Sequence, residues 1–145
     1  MRIRTATIAA VVAGLSLASV AHAAPPKNFK KTVSFTDATP DPSGNAGSGN
    51  ESHCSGQLPQ EDPIEVKIPG PGYLEVSIGG FQGDWALQVR DKDGEVIAGD
   101  DVNPPSEFES VSIKFKKAET VGILPCNMGG TPQADVTYSY TYKKK

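Results

Sequence analysis

The chain has 145 residues, 37% of them hydrophobic, and a net charge of −3, which suits one domain around one core. The surplus of acids argues against nucleic acid and against anionic membranes as partners. Two cysteines and two histidines are too few ligands for a Cys/His zinc module once His22 is assigned to a leader segment.

That leader comes first. Arg2 and Arg4 precede an uncharged stretch from Thr5 to Val20, and Ala21-His22-Ala23 closes it in the small-x-small form that signal peptidase cuts. The apolar part is too short, and too rich in Ala, Ser and Thr, to span a bilayer. Residues 1–23 are therefore expected to be removed, leaving a secreted, extracellular chain that starts at Ala24 and has no transmembrane segment. Both leader arginines go with it, taking the net charge from −3 to −5. No cysteine follows the cleavage point directly, so no lipid anchor is expected there.

Beyond Ala24 the prolines and glycines break every window long enough for a helix. Two-residue alternation recurs instead, the mark of half-buried strands. In residues 24–36, read as an N-terminal edge strand, Phe29, Val33 and Phe35 share a parity. Residues 37–53 hold Gly, Pro, Ser and Asn without a large apolar side chain and predict a flexible loop. Asn50-Glu51-Ser52 fits the N-glycosylation pattern, which matters only in a host that glycosylates its exports.

Residues 54–142 carry the remaining runs: Ile64/Val66/Ile68, Leu74/Val76/Ile78, Trp85/Leu87/Val89, Val111/Ile113/Phe115 and Val136/Tyr138/Tyr140/Tyr142, with shorter candidates at Glu95–Ala98 and Thr120–Leu124. Pro69-Gly70-Pro71-Gly72 reads as a hairpin turn, and Asp91-Lys92-Asp93-Gly94 as a turn whose glycine takes positive φ. About eight strands, each with one apolar face, need a second layer to cover that face. The expected fold is all-β, a two-sheet antiparallel sandwich of jelly-roll-like topology, followed by a basic tail at residues 143–145. Cys54 and Cys126 read as one disulfide in an exported chain. Closing a loop of 72 positions stabilises a fold by about 4 kcal/mol on the chain-entropy account.

Residues 74–98 carry a resemblance. Leu74-Glu75-Val76-Ser77-Ile78, Gly83-Asp84-Trp85-Ala86-Leu87-Gln88-Val89 and Asp93-Gly94-Glu95-Val96-Ile97-Ala98 succeed one another as strand, Gly-Asp turn, aromatic-bearing strand, Asp-Gly hairpin and strand. This resembles the bacterial pre-peptidase C-terminal domain, a β-sandwich module found beside secreted peptidases. The similarity extends over roughly residues 60–142, with Glu107 where the family often has a glutamate and Val136–Tyr142 like its closing strand. Ala86 stands where the family usually has a second Asp, and no Gly-Thr-Tyr precedes the penultimate strand. The resemblance implies a non-catalytic module, with calcium in some members.

Catalysis finds little support in the residues. His53 is the one imidazole outside the leader, its neighbours Ser52 and Ser55 lie in the Gly/Ser-rich stretch, and no Gly-x-Ser-x-Gly elbow exists. Asp84, Asp91, Asp93, Asp100 and Asp101 fall close together in sequence and are candidate calcium ligands, since calcium takes carboxylate and carbonyl oxygens; ordinary turn chemistry explains the same acids. Trp85 and the Tyr138/Tyr140/Tyr142 stripe are expected in the core, with a saccharide-stacking platform as the alternative. The expectation is a monomeric, secreted, non-catalytic binding or accessory module whose partner is an extracellular protein or a polysaccharide. A calcium-stabilised structural domain and a cell-wall binder using exposed aromatics are the alternatives.

Overall fold

The computed structural model describes residues 27–38, 54, 62–100 and 108–143. The leader, most of the 37–53 loop including Asn50-Glu51-Ser52 and His53, the residues Asp101 and Glu107, and Lys144-Lys145 lie outside them.

Eight strands follow in chain order: β1 (Phe29–Thr36), β2 (Ile64–Ile68), β3 (Gly72–Gly79), β4 (Trp85–Arg90), β5 (Val96–Asp100), β6 (Phe108–Phe115), β7 (Glu119–Asn127) and β8 (Gln133–Tyr142). They form two four-stranded sheets, ordered β1-β8-β3-β6 and β2-β7-β4-β5, with every pairing antiparallel. The partners β1·β8, β2·β7, β3·β6 and β4·β5 are those of one long hairpin rolled over itself. This is the jelly-roll solution to covering an apolar sheet face.

The alternating residues meet where the period-two pattern puts them. Leu74, Val76 and Ile78 from β3, Trp85, Leu87 and Val89 from β4, and Val136, Tyr138 and Tyr140 from β8 are buried together between the sheets. Full burial of side chains this large contributes about 2 kcal/mol each relative to exposure. Phe81 leans on Trp85 with ring centroids 5.9 Å apart, and Phe29 stacks on Tyr140 at 5.4 Å. That stacking makes β1 an edge strand of the first sheet and an integral part of the sandwich.

Two local expectations change. The Pro69–Gly72 segment does not close a hairpin: β2 pairs with β7, whereas β3 pairs with β6 and β8, so the turn carries the chain from one sheet to the other. The hairpin is β4–β5, where Gly94 has φ of 85° and Asp91 Oδ1 accepts the amides of Asp93 and Glu95 at 2.9 and 3.0 Å. The second change is the length of β7, which continues through Pro125 to Asn127. The β2 ladder ends at Ile64↔Ile123, so a proline two residues further removes no β2 bond.

Cys54 and Cys126 form the disulfide, with Cα atoms 5.7 Å apart. It sits on the outer side of the second sheet, where Cys54, Cys126, Ala86, Leu124 and Met128 make a smaller buried cluster. For this reason β4 is buried on both faces, and its outward Gln88 is only 1% exposed. Arg90 completes the cover: its Nε donates to Gln88 Oε1 at 3.0 Å and its Nη2 to the Cys54 carbonyl at 3.4 Å.

Candidate functional site

With the outer side of β4 and β7 covered, the broad open surface among the described residues is the outer face of β1-β8-β3-β6. Strand register sets its chemistry. One row across the sheet reads Thr32, Thr137, Ser77, Ser110, and the next reads Lys30, Ser139, Glu75, Ser112. Short hydroxyl side chains leave room above the sheet. The result is a groove of about 540 Å³ floored by Ser77, Ser110, Ser112, Thr137 and Ser139, with Glu75 within it and Lys30 at its edge. Thr32 and Thr137 share a hydroxyl–hydroxyl hydrogen bond of 2.9 Å at the β1 side.

An aromatic side chain stands at each end of this face. Phe108, 56% exposed, opens β6 opposite Gly79. Tyr73 lies six positions back along β3, about 20 Å away at strand rise. Two lysine ammoniums hang over the Tyr73 ring, Lys143 Nζ at 5.3 Å and Lys114 Nζ at 6.0 Å from its centroid. A depression of about 380 Å³ surrounds the ring, bounded also by Pro71, Phe115 and Lys116.

Charge is segregated along the same axis. Strand directions place the β2–β3, β4–β5 and β6–β7 turns at one end of the sandwich, and every described lysine and arginine lies at the midline or toward that end. The opposite end holds Asp37, Asp84, Asp100 and Asp135 and no described lysine or arginine. The turn end also carries Asp91, Asp93, Glu95 and Glu119, so cations outnumber acids there without excluding them.

Of the acids singled out in the sequence, Asp101 lies outside the described residues, and the other four do not gather. Asp84 precedes β4 and Asp91 follows it, at opposite ends of a six-residue strand. Asp91 and Asp93 belong to the β4–β5 turn, where Asp93 pairs with Lys92 at 2.6 Å. Asp100 lies across from Leu87, and its Oδ2 accepts the Ser110 amide at 2.7 Å. The Asp84 carbonyl accepts the amides of Met128 and Gly129. Among the described residues no three His, Cys, Asp or Glu side chains come close enough to hold a metal.

Trp85 and the tyrosine stripe lie in the core as expected, and the alternative of a stacking platform does not hold for them. Trp85 is fully buried, its indole N–H donating to the Thr131 carbonyl at 3.1 Å; Tyr138 and Tyr140 are in the core, and Tyr142 is half-buried at its edge. Sequence reasoning missed Phe108, Tyr73 and the hydroxyl rows. The alternation of Ser110/Ser112 in β6 and Thr137/Ser139 in β8 was the available signal.

The fold and this face together define an antiparallel jelly-roll sandwich with one open, hydroxyl-lined sheet surface. No protein-family model matches the chain, and no curated protein matches it. Among solved structures, the chain is similar to the virus-like particle of the extra small virus of the giant freshwater prawn Macrobrachium rosenbergii. That similarity has 14% identity and a TM-score of 0.23, with 86% of each chain covered, too slight to bear on fold or function. No helix among the described residues is long and apolar enough to cross a membrane.

Proposed function

We propose that this chain is a secreted, non-catalytic binding module, and that its ligand is a saccharide lying along the outer face of the first sheet. The observation that carries the reading is the groove floored by Ser77, Ser110, Ser112, Thr137 and Ser139. Each hydroxyl both donates and accepts, so the floor matches the hydroxyls of a sugar chain. An apolar partner would leave the same groups dry and unsatisfied, at about 1–3 kcal/mol each. Phe108 at one end and Tyr73 at the other supply flat apolar surfaces against which the C–H faces of sugar rings can stack. The disulfide and the leader-like residues 1–23 support a place outside the cell. The resemblance of residues 60–142 to the pre-peptidase C-terminal domain supports an accessory role.

Affinity electrophoresis of the Ala24–Lys145 protein through gels containing soluble polysaccharides tests this. Retardation by at least one polysaccharide, lost on Ser77→Leu with Thr137→Leu and retained on an equivalent change in the β4–β5 turn, is the expected result. Unretarded migration in every gel contradicts the reading. So does turnover of a polysaccharide by the purified protein, which would make it an enzyme.

A further inference from the structure

Resting on the saccharide reading above, we infer that the ligand carries an anionic sugar, a carboxylate-bearing unit seated on Tyr73 among Lys114, Lys116 and Lys143. Two ammonium groups lie over one half-buried ring, and Lys116 lines the same depression, so like charges are gathered there. None of the three has an ion-pair partner among the described residues, where Lys92–Asp93 is the only pair. An anion placed among them offsets those like charges and makes charge-assisted hydrogen bonds. The ammoniums that lie over the ring would swing aside to meet the carboxylate, which frees the ring for the sugar's C–H face.

Backbone geometry fixes the clamp. The Lys143 amide donates to the Pro71 carbonyl at 3.1 Å, so this lysine is held at the end of β8 and is not part of a loose tail. Lys114 is paired with Tyr73 itself across the β3·β6 ladder. Both ammoniums reach the ring, at 5.3 and 6.0 Å.

The groove also says which anionic ligand fits. Glu75 lies in its floor, two positions along β3 from Tyr73, and Asp135 lies in the row opposite Gly79. A polymer with a charge on every unit would set negative groups over both, with only Lys30 at the edge of the groove to offset them. Single-stranded nucleic acid, with a phosphate on every nucleotide, is disfavoured for that reason despite the lysine–aromatic pairing it often uses. The complement of this surface is a chain with neutral units over the hydroxyl rows and its acid at the lysine end.

Titration calorimetry of the Ala24–Lys145 protein against a panel of oligosaccharides tests the inference, each neutral chain being paired with a counterpart carrying one uronic acid. The expected result is a preference for the acidic member of about tenfold at low salt, shrinking as salt rises. Lys114→Gln with Lys143→Gln should abolish the preference, with an unchanged urea midpoint showing that the variant is folded, whereas Lys92→Gln in the β4–β5 turn should keep the preference. Equal affinity for both members overturns the inference and leaves the saccharide reading standing. Failure of every oligosaccharide to bind overturns both. A single-stranded oligodeoxynucleotide that binds more tightly than any oligosaccharide overturns both as well.

Discussion

Tyr140 and Lys143 share one acceptor: the Tyr140 hydroxyl donates to the Pro71 carbonyl at 2.9 Å and the Lys143 amide donates to the same oxygen at 3.1 Å. A core side chain and the start of the basic tail thereby hold the turn that carries the chain from β2 to β3. The packing beneath Gly72 is as close as this geometry requires. A Cβ at Gly72 would clash with the Thr141 carbonyl oxygen and come within 2.7 Å of the Tyr140 ring and hydroxyl. Gly72→Ala must shift the β8 backbone as well as the tyrosine. It should destabilise the protein by about 2 kcal/mol, as core overpacking does, read as a lower midpoint in urea with an unchanged slope.

Tyr140 also sets a limit at high pH. Burial, and secondarily the neighbouring Tyr142, raise its pKa above the ordinary tyrosine value. The folded state thus holds the phenol proton more tightly than the unfolded chain. Its stabilising contribution is complete below the unfolded tyrosine value near 10 and is lost as pH rises through the higher folded value. Unfolding midpoints should fall over that alkaline window, and Tyr140→Phe should lessen the fall.

Asn127 organises the opposite pole. Its Oδ1 accepts the amides of Gly129 and Gly130 at 3.1 and 2.7 Å, its Nδ2 donates to the Asp37 carbonyl at 3.1 Å, and its own amide donates to Asp37 Oδ2 at 3.0 Å. These bonds tie β7 of one sheet to the residue after β1 of the other. Asn127→Ala should cost about 2 kcal/mol in denaturant unfolding through the lost buried hydrogen bonds. Asn127→Asp keeps an acceptor but sets a second carboxylate beside Asp37, and should not restore stability.

Reduction of Cys54–Cys126 should lower unfolding stability by roughly 4 kcal/mol on the chain-entropy account. That is a large share of the 5–15 kcal/mol typical of a folded domain. Denaturant titrations of the oxidised protein and of Cys54→Ser/Cys126→Ser measure it. Equal midpoints would mean that the cluster of Ala86, Leu124 and Met128 holds its cover without the covalent link.

What was legible in the sequence follows from how local each feature is. Trp85, Leu87 and Val89 alternate with Ala86 and Gln88, and the period alone put the first three in the core. The end of β7 was not legible in the same way. Leu124 and Cys126 are buried on the outer side of their sheet, so alternation vanishes there, and Pro125 reads as a strand breaker until the short reach of β2 is known. Pro69–Gly72 has the composition of a hairpin turn, but only long-range pairing decides whether a turn joins neighbours or crosses between layers. The acids between Asp84 and Asp101 are close in sequence, yet one strand length separates Asp84 from Asp91. The groove is the converse case. Ser77 and Thr137 are paired by the β3·β8 register and nothing in either segment announces the other.

The most direct measurement of the central claim is amide chemical-shift mapping of the isotope-labelled Ala24–Lys145 protein during titration with the oligosaccharide it binds best. Shifts should concentrate on Ser77, Ser110, Ser112, Thr137 and Ser139 and run toward Phe108 at one end and Tyr73 at the other. Shifts confined to the β2-β7-β4-β5 sheet or to the loops around Asp84 and Asn127 would contradict the assignment of the open face as the binding surface.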